Sequence, residues 1–377
     1  MELLTLARRI GQAFALTSSI TLASTAFATV DLDDTDAYPG APVFPTDYIW
    51  IDAAELATLP TDGDAWDNMY EAAQEDTSNP DVSDQDDQTN TDTLAKALVF
   101  ARTGETRYRD EVIESVMNAI GTEGGDTLPL GKELIAYVLA ADLVKLDEAD
   151  DELFSEWIRD MLTYEFSSGK TLVSTHEIRP NNWGTFAGAT RLAIAAYLQD
   201  EAEIARAAKI FKAWLGDRDM YNSFKFKEVE QWQYDADAPV AINPLGATKD
   251  GYDIDGVLPD EMRRGGDFTW PAPHENYVYS GLQGAVAQAV ILDRLGYDVW
   301  NWEDRALMRA FKWLNEVAEY PAVGDDTWQP YIINKVYGTN FATTSPTKPG
   351  KNVGWADWTH PGEEAEPIPE MCLPYIE

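Results

Sequence analysis

Two short stretches of the sequence concentrate side chains that can bind an anion and move a proton. The first, "STHEIRPNNWGTF" at 174–186, contains His176 and the adjacent Asn181 and Asn182. The second, at 260–279, contains two adjacent arginines, a histidine and two tyrosines: Arg263, Arg264, His274, Tyr277 and Tyr279. Guanidinium groups bind carboxylates through paired hydrogen bonds, and imidazole and phenol groups serve as general acids and bases. The two stretches therefore predict a site that recognises a carboxylate and transfers protons.

Each of these residues also has a purely structural interpretation. A histidine outside a recognised motif is more often buried in the core or simply exposed than catalytic, and this applies to His176, His274 and His360. The two arginines have possible ion-pair partners close in sequence, namely Asp260, Glu261 and Asp267. The sequence leaves both interpretations open.

The asparagine pair precedes an apolar helical pattern. Asparagine is a preferred helix cap, and Pro180 disfavours helix before it, so Asn182 is predicted to cap a helix that begins at Trp183. The backbone at a helix N-terminus attracts anions. A capping role for Asn182 is therefore compatible with binding of a carboxylate.

Most of the chain after Thr93 has helical periodicity. The segment "ELIAYVLAADLVKL" at 133–146 is apolar on nearly every face, which indicates an inner helix covered by others, whereas "DELFSEWIRDMLTYEF" at 151–166 is amphipathic. Short turns join successive helices into hairpins, and alternation typical of strands is scarce. We predict an all-α fold: an (α/α) toroid or incomplete barrel of helical hairpins, with irregular loops and few short strands.

Three segments depart from the helical pattern. Residues 31–64 are rich in Asp, Pro and Ala, and "YPGAPVFP" predicts an extended N-terminal arm. Residues 75–92 are dense in acids and turn formers and predict a solvated loop, because the spacing of a calcium-binding loop is missing. Residues 220–270 interrupt the helices, and long irregular insertions of this kind usually carry function.

The composition excludes some classes of partner. The chain has 28 Lys and Arg against 66 Asp and Glu, a formal net charge of −38, so we expect neither nucleic acid nor an anionic membrane as a partner. An anionic ligand requires a locally basic cleft. The single cysteine, Cys372, excludes an intramolecular disulfide. Oligomeric state cannot be predicted.

The N-terminus has the pattern of a secretory signal peptide. Arg8 and Arg9 precede an apolar run at 10–23, and Ala26-Phe27-Ala28 is a small-x-small cleavage site. We predict a signal peptide at 1–28 and a single domain at 29–377, exported to the periplasm or the extracellular space.

Three motifs together resemble the alginate lyase superfamily, which includes polysaccharide lyase families 5 and 38. They are "NNWGTFAGA" entering a helix at 181–189, "LPDEMRRG" at 258–265, and "HENYVYSGLQGAVAQA" at 274–289. The resemblance covers roughly 93–358, and family 38 is the more similar of the two. It implies an (α/α) toroid that cleaves a uronic-acid polysaccharide, of the alginate or glucuronan type, by β-elimination.

The resemblance also implies roles for individual residues. Asn182 and Arg264 would neutralise the uronate carboxylate, and a His/Tyr pair drawn from His274 and Tyr277 would act as base and acid. Substrate contacts are expected from the side chains around them: Asn181, Trp183, His176, Arg263, Tyr279, Trp270 and Tyr337. This chemistry needs no metal, nucleotide or redox cofactor, because amide, cationic and phenolic groups stabilise the developing charge and move the protons.

The chain departs from the family 5 pattern at one position. A histidine follows the asparagines in that pattern, whereas Trp183 stands here, and His274 aligns with the family 5 tyrosine. The assignment of base and acid therefore stays open among His274, Tyr277 and Tyr279.

Three other functions remain possible on the sequence. A glycoside hydrolase would need two carboxylates about 5 to 9.5 Å apart, such as Glu261 and Asp325. A polysaccharide-binding protein without catalysis is favoured by Trp183. A zinc enzyme would use the three histidines, although no HExxH helix is present.

Overall fold

Helices form most of the described chain. The computed structural model describes residues 42–44 and 48–362, so the predicted signal peptide and Cys372 lie outside the described residues. All described residues belong to one compact unit. The predicted single domain at 29–377 extends beyond them and stays a prediction.

The helices are α1 (Ala53–Thr58), α2 (Asp64–Ala72), α3 (Thr89–Thr103), α4 (Thr106–Ala119), α5 (Thr127–Val144), α6 (Glu148–Thr163), α7 (Leu172–Ile178), α8 (Asn182–Tyr197), α9 (Glu201–Leu215), α10 (Pro259–Met262), α11 (Tyr277–Arg294), α12 (Trp302–Lys312), α13 (Gln329–Tyr337) and α14 (Ala356–Thr359). A π-helix at Trp313–Val317 follows α12 directly. Strands β1 (Thr248–Lys249) and β2 (Tyr252–Asp253) pair antiparallel, with Thr248 opposite Asp253.

Inner helices are buried all round, and outer helices on one face. Helices α5, α8 and α11 are buried along most of their length, and α8 packs against both of the others, while α3 packs against α5. Helices α4, α6 and α9 bury an apolar stripe and expose the opposite face. The predicted all-α toroid of helical hairpins is confirmed. None of the described helices is both long and apolar enough to cross a lipid bilayer.

Helices α8, α11 and α13 run in the same direction. Ser280 of α11 contacts Asn182 of α8, and two turns further along α11 Gln288 donates to the Thr185 carbonyl. Gln329 at the start of α13 likewise donates to the carbonyl of Tyr279 near the start of α11. The N-termini of α8, α11 and α13 therefore lie at one end, where the partial positive charges of their dipoles add.

Glycine permits α8 and α11 to approach closely. A Cβ atom on Gly284 of α11 would lie 2.3 Å from the carbonyl carbon of Thr185 in α8. Backbone cannot move aside as a flexible side chain can, so the helices would have to separate.

We expect Gly284→Ala to lower the free energy of unfolding by about 1–3 kcal/mol, measured by urea denaturation, because overpacking strains both helices. Gly362→Ala is the matched control, since a Cβ atom there meets nothing within 4 Å. Equal stability of the two variants would contradict the close contact.

The acidic loop at 75–92 is shorter than predicted. Helix α3 begins at Thr89, because Asp87 accepts hydrogen bonds from the Thr89 backbone N–H and hydroxyl and so initiates the helix. Asp81 and Asp84 likewise accept from Ser83 N and Asp86 N within the loop. In the part of the chain that the structure describes, no group of three or more His, Cys, Asp or Glu side chains is arranged to hold a metal ion.

The predicted arm at 31–64 is not extended throughout its described part. Residues 53–58 form α1, because Asp52 and Glu55 make a capping box: Asp52 accepts from the Glu55 N–H, and Glu55 from the Asp52 N–H. The irregular segment at 220–270 is present as predicted. It carries the β1–β2 hairpin and α10, which brings Glu261 to the start of α8.

Candidate active site

The candidate site is built around the first turn of α8. Helix α8 begins at Asn182, and the extended backbone of Asn181 (φ −103°, ψ −171°) marks Asn181 as the N-cap. The prediction of Asn182 as the cap was therefore wrong by one residue. The Asn182 side chain instead makes tertiary contacts: Oδ1 accepts from Arg264 Nη2 at 3.2 Å, and Nδ2 donates to Ser280 Oγ at 3.2 Å.

Asn181 is buried beside this site. It is 4% exposed, and no hydrogen-bond donor among the described residues meets its Oδ1. A buried carbonyl oxygen without a donor is unfavourable by roughly 1–3 kcal/mol. Asn181 can therefore accept a hydrogen bond from a bound molecule or water.

Glu261 is buried against the α8 N-terminus. Its Oε1 accepts from the Asn182 backbone N–H at 2.5 Å, and its side chain lies against Gly281 of α11. Burial, at 1% exposure, raises the pKa of Glu261 to about 8, although nearby Arg264 favours the ionised form. The carboxyl group therefore keeps its proton near neutral pH.

Arg264 connects three parts of the site. Its Nε lies 3.2 Å from Glu261 Oε2 without hydrogen-bond geometry, and its guanidinium lies 3.9 Å from the centre of the Tyr277 ring. Together with the contact to Asn182, these define the Asn182 group: Asn182, Glu261, Arg264 and Tyr277. Because Glu261 holds its proton, the positive charge of Arg264 remains available to an anionic ligand.

The adjacent arginine has a different environment. Arg263 pairs with Asp260 at 2.9 Å and with Glu228 at 2.7 Å. The ion-pair interpretation that the sequence left open therefore applies to Arg263, which makes no hydrogen bond to the Asn182 group among the described residues. Its predicted substrate contact is not supported by this geometry.

Tyr277 is the proton-transfer candidate that touches the Asn182 group. It is the first residue of α11 and is 39% exposed, so its hydroxyl is accessible from solvent. The guanidinium of Arg264 lies 3.9 Å from the centre of its ring and so holds Tyr277 beside the carboxylate-binding groups. Tyr277 thus lies where a base is needed beside a bound carboxylate.

His274 precedes α11 by three residues and contacts a different part of the chain. Its ring stacks on Tyr320 with centroids 4.4 Å apart and planes at 7°, and its Nε2 lies 3.2 Å from the Ala318 carbonyl. A carbonyl only accepts, so Nε2 carries a proton and Nδ1 is the nitrogen available to a substrate. Both contacts come from the segment that follows the π-helix. Short π-helices are common at functional sites.

Three predicted substrate-binding residues lie away from the Asn182 group: His176 and Tyr279 are buried, and Tyr337 is half-buried. His176 faces Arg191 at 3.4 Å, and burial holds its pKa well below its usual value, so it stays neutral. Tyr279 donates its hydroxyl to the Tyr320 carbonyl at 2.8 Å. Tyr337 ends α13 and donates to the Trp300 carbonyl, beyond the C-terminus of α11. Burial of His176 and Tyr279, and the position of Tyr337 at the far end of the helices, argue against direct substrate contact.

Two tryptophans considered as sugar-binding residues remain partly exposed. Trp183 follows Asn182 directly, and Trp270 stacks on Tyr252 with ring centroids 4.6 Å apart. Trp232 and Trp328 are fully buried in the core. Partly exposed aromatic rings can stack on sugar rings, so Trp183 and Trp270 keep their predicted roles.

The sequence analysis did not predict that Glu261 belongs to the candidate site. The sequence analysis considered Glu261 only as a possible ion-pair partner or as one carboxylate of a hydrolase pair. The chain contains so many acidic residues that the sequence alone cannot single out one of them as functional. Its position within "LPDEMRRG", three residues before Arg264, was the available signal. Its burial, which keeps it protonated, arises from packing against α8 and α11.

The histidines do not form a metal site. His360 contacts Thr359 and Trp50 in the core, and burial lowers its pKa to about 3. His176 faces Arg191, and His274 stacks on Tyr320. The zinc alternative therefore has no support among the described residues.

A helical toroid with an amide, a guanidinium, a protonated carboxyl and a tyrosine at one end of its inner helices has the groups that a polysaccharide lyase requires. Residues 53–222 match the model of the alginate lyase family. The matched residues include Asn181–Trp183 and end before Glu261. The resemblance predicted from the motifs is confirmed, and the chain is a polysaccharide lyase.

Solved structures of alginate lyase A1-III are similar to this chain. The apo form of a histidine-to-alanine variant has 12% sequence identity and a TM-score of 0.50, covering 85% of this chain and 98% of its own, and it shows the shared fold. The same kind of variant complexed with a tetrasaccharide has 12% identity and a TM-score of 0.48, covering 80% of this chain and 92% of its own. The enzyme from Sphingomonas species A1 has 12% identity and a TM-score of 0.47, covering 82% and 90%. No curated protein matches the chain.

Proposed function

We propose that this protein is an exported lyase that cleaves a uronic-acid polysaccharide of the alginate or glucuronan type by β-elimination. The observation that supports the proposal is the Asn182 group: a hydrogen-bonding amide, a carboxyl that keeps its proton, a guanidinium and an exposed phenol, joined by contacts of 2.5–3.9 Å. This combination suits an anionic sugar better than a neutral one.

The first requirement of the reaction is to neutralise the uronate carboxylate. Removal of the C5 proton adds negative charge to a group that is already anionic, so the unaided reaction is slow. The Arg264 guanidinium and the Asn182 amide can interact with the carboxylate, and the protonated, buried Glu261 leaves the charge of Arg264 available for this contact. Such pre-organised donors typically contribute a factor of about 10²–10³ each to the rate.

The second requirement is the movement of two protons. We assign removal of the C5 proton to Tyr277 acting as its phenolate, because this side chain contacts Arg264. The C5–H electrons form the C4–C5 double bond, the bond from C4 to the glycosidic oxygen breaks, and that oxygen takes a proton. The second proton comes either from the Tyr277 hydroxyl, which carries the proton taken from C5, or from His274 in its doubly protonated form, in which Nδ1 also carries a proton.

Two variants separate these possibilities. We expect Tyr277→Phe to lower kcat by about 10³-fold, because general acid–base catalysis typically contributes 10²–10⁴. If His274 is the acid, His274→Ala lowers kcat by a comparable factor; if Tyr277 serves twice, His274→Ala changes kcat little. Initial rates on uronan, with circular dichroism as a check of folding, provide the measurement. A near wild-type rate for Tyr277→Phe would refute its role.

The proposal is tested by incubating the purified protein with alginate, glucuronan and related uronans and following the ultraviolet absorbance of the new C4–C5 double bond. Reducing ends without this absorbance would identify a hydrolase. Binding without any product would identify a polysaccharide-binding protein. Either outcome overturns the lyase proposal for these substrates.

Export is part of the proposal and rests on the N-terminal sequence. The basic and apolar segments before Ala26-Phe27-Ala28 support cleavage by a signal peptidase. We expect the mature protein to begin near Thr29, and N-terminal sequencing of the secreted protein checks this. An intact Met1 in the mature protein would contradict export by this route.

A further inference from the structure

Two cationic side chains lie near the Trp183 ring. Lys170 Nζ is 5.6 Å and the Arg179 guanidinium carbon 5.5 Å from the centre of the Trp183 ring. Within the described residues, neither cation forms an ion pair with a carboxylate. We name Lys170, Arg179 and Trp183 the Trp183 clamp.

The chain positions the clamp through a tight turn between α7 and α8. Arg179 is the C-cap of α7, and its N–H donates to the Thr175 carbonyl. The next carbonyl, of Pro180, accepts from Trp214 Nε1 at 2.8 Å, which holds the turn in place. Gly184 permits the turn, because a Cβ atom there would lie 1.9 Å from the Arg179 carbonyl oxygen. The clamp is therefore supported by packed backbone.

The acidic side chain closest to Arg179 in sequence is already paired with other cations. Glu177, two residues before Arg179, pairs with Arg191 at 3.2 Å and Arg206 at 2.7 Å. An exposed lysine adds to the positive charge, since Lys225 donates its backbone N–H to the Ile178 carbonyl at 2.8 Å. In a chain of net charge −38, this is a local excess of positive charge.

We propose that the Trp183 clamp is a second uronate-binding subsite, which holds the carboxylate of the sugar next to the one at the Asn182 group. The inference rests on the proposed function. Trp183 follows Asn182 directly, so the two subsites lie side by side. The cations bind the carboxylate, and the exposed part of the indole ring packs on the sugar. The clamp thereby selects polymers in which adjacent sugars both carry a carboxylate.

The test compares Arg179→Gln, Lys170→Gln and the double variant with wild type on whichever uronan wild type cleaves. We expect KM to rise about tenfold for each single variant, from loss of one charge-assisted contact, with kcat nearly unchanged. Arg179→Lys should restore part of the affinity because it keeps the charge. The matched control is Arg159→Gln, the same substitution on an exposed position of α6.

A second measurement uses oligosaccharides of the same uronan in which alternate carboxyl groups have been reduced to alcohols. We expect wild type to bind these more weakly than the fully charged form and the double variant to lose this preference, as measured by calorimetry. Unchanged KM and binding in the double variant, with wild type active, would overturn the clamp alone. A wild type that neither binds nor cleaves any uronan would overturn the proposed function itself. Melting curves confirm that each variant is folded.

Discussion

Asn182→Ala is expected to reduce kcat/KM on uronan by about 10²–10³ while the protein stays folded, since it removes the amide to which we assign stabilisation of the developing charge. The alanine also leaves Arg264 without the oxygen that holds it at 3.2 Å, so the guanidinium can move away from the substrate carboxylate. Initial rates of double-bond formation, followed by ultraviolet absorbance, measure the loss.

Two further variants separate charge from shape. Asn182→Asp keeps the oxygen that accepts from Arg264 and the Trp183 N–H but adds a negative charge, so it should also be strongly impaired. Asn118→Ala is the control, because Asn118 makes a comparable hydrogen bond, to the Ser78 carbonyl, at an exposed position of α4. Wild-type rates in both Asn182 variants would exclude the assigned role.

The second large effect concerns pH. Because burial raises the pKa of Glu261 to about 8, the group is protonated at pH 7 and ionises as the pH rises through 8. The ionised form competes with the uronate for Arg264 and repels it. We expect kcat/KM to fall above pH 8, approaching tenfold per pH unit, as for a single essential acid.

Glu261→Gln provides the diagnostic comparison. Glutamine keeps an oxygen for the Asn182 N–H and stays neutral at every pH, so the decline assigned to Glu261 should disappear while activity at pH 7 is largely retained. An unchanged alkaline decline would show that another group causes it. The same ionisation weakens folding: a raised folded-state pKa stabilises the protein at low pH, and this stabilisation is lost as pH rises from about 4.5, the unfolded value, towards 8.

Local patterns predicted the helices well where burial is uniform. The apolar run at 133–146 falls largely in α5, and the amphipathic run at 151–166 falls largely in α6. Boundaries set by single side chains were missed, because Asp87 starts α3 and Asp52 with Glu55 starts α1 through hydrogen bonds that periodicity does not register.

The site was predictable in its residue types and less so in its geometry. The motifs pointed to Asn182, Arg264 and Tyr277, which the structure brings together. They gave no means of separating Arg263, held by two carboxylates, from Arg264, which is directed at Asn182. They also placed Tyr337 near the site, although the length of α13 carries it to the opposite end of the inner helices.

The gathering of inner-helix N-termini at one end of an acidic protein has a consequence for encounter with a polyanion. At long range the net charge of −38 repels the polymer, and attraction acts only close to the helix ends and their cations. The range of the repulsion is the Debye length, about 8 Å at 0.15 M salt and shorter in brine. Added salt therefore shortens the range of the repulsion before it weakens the attraction close to the helix ends. The protein is for this reason suited to binding its polymer in saline water.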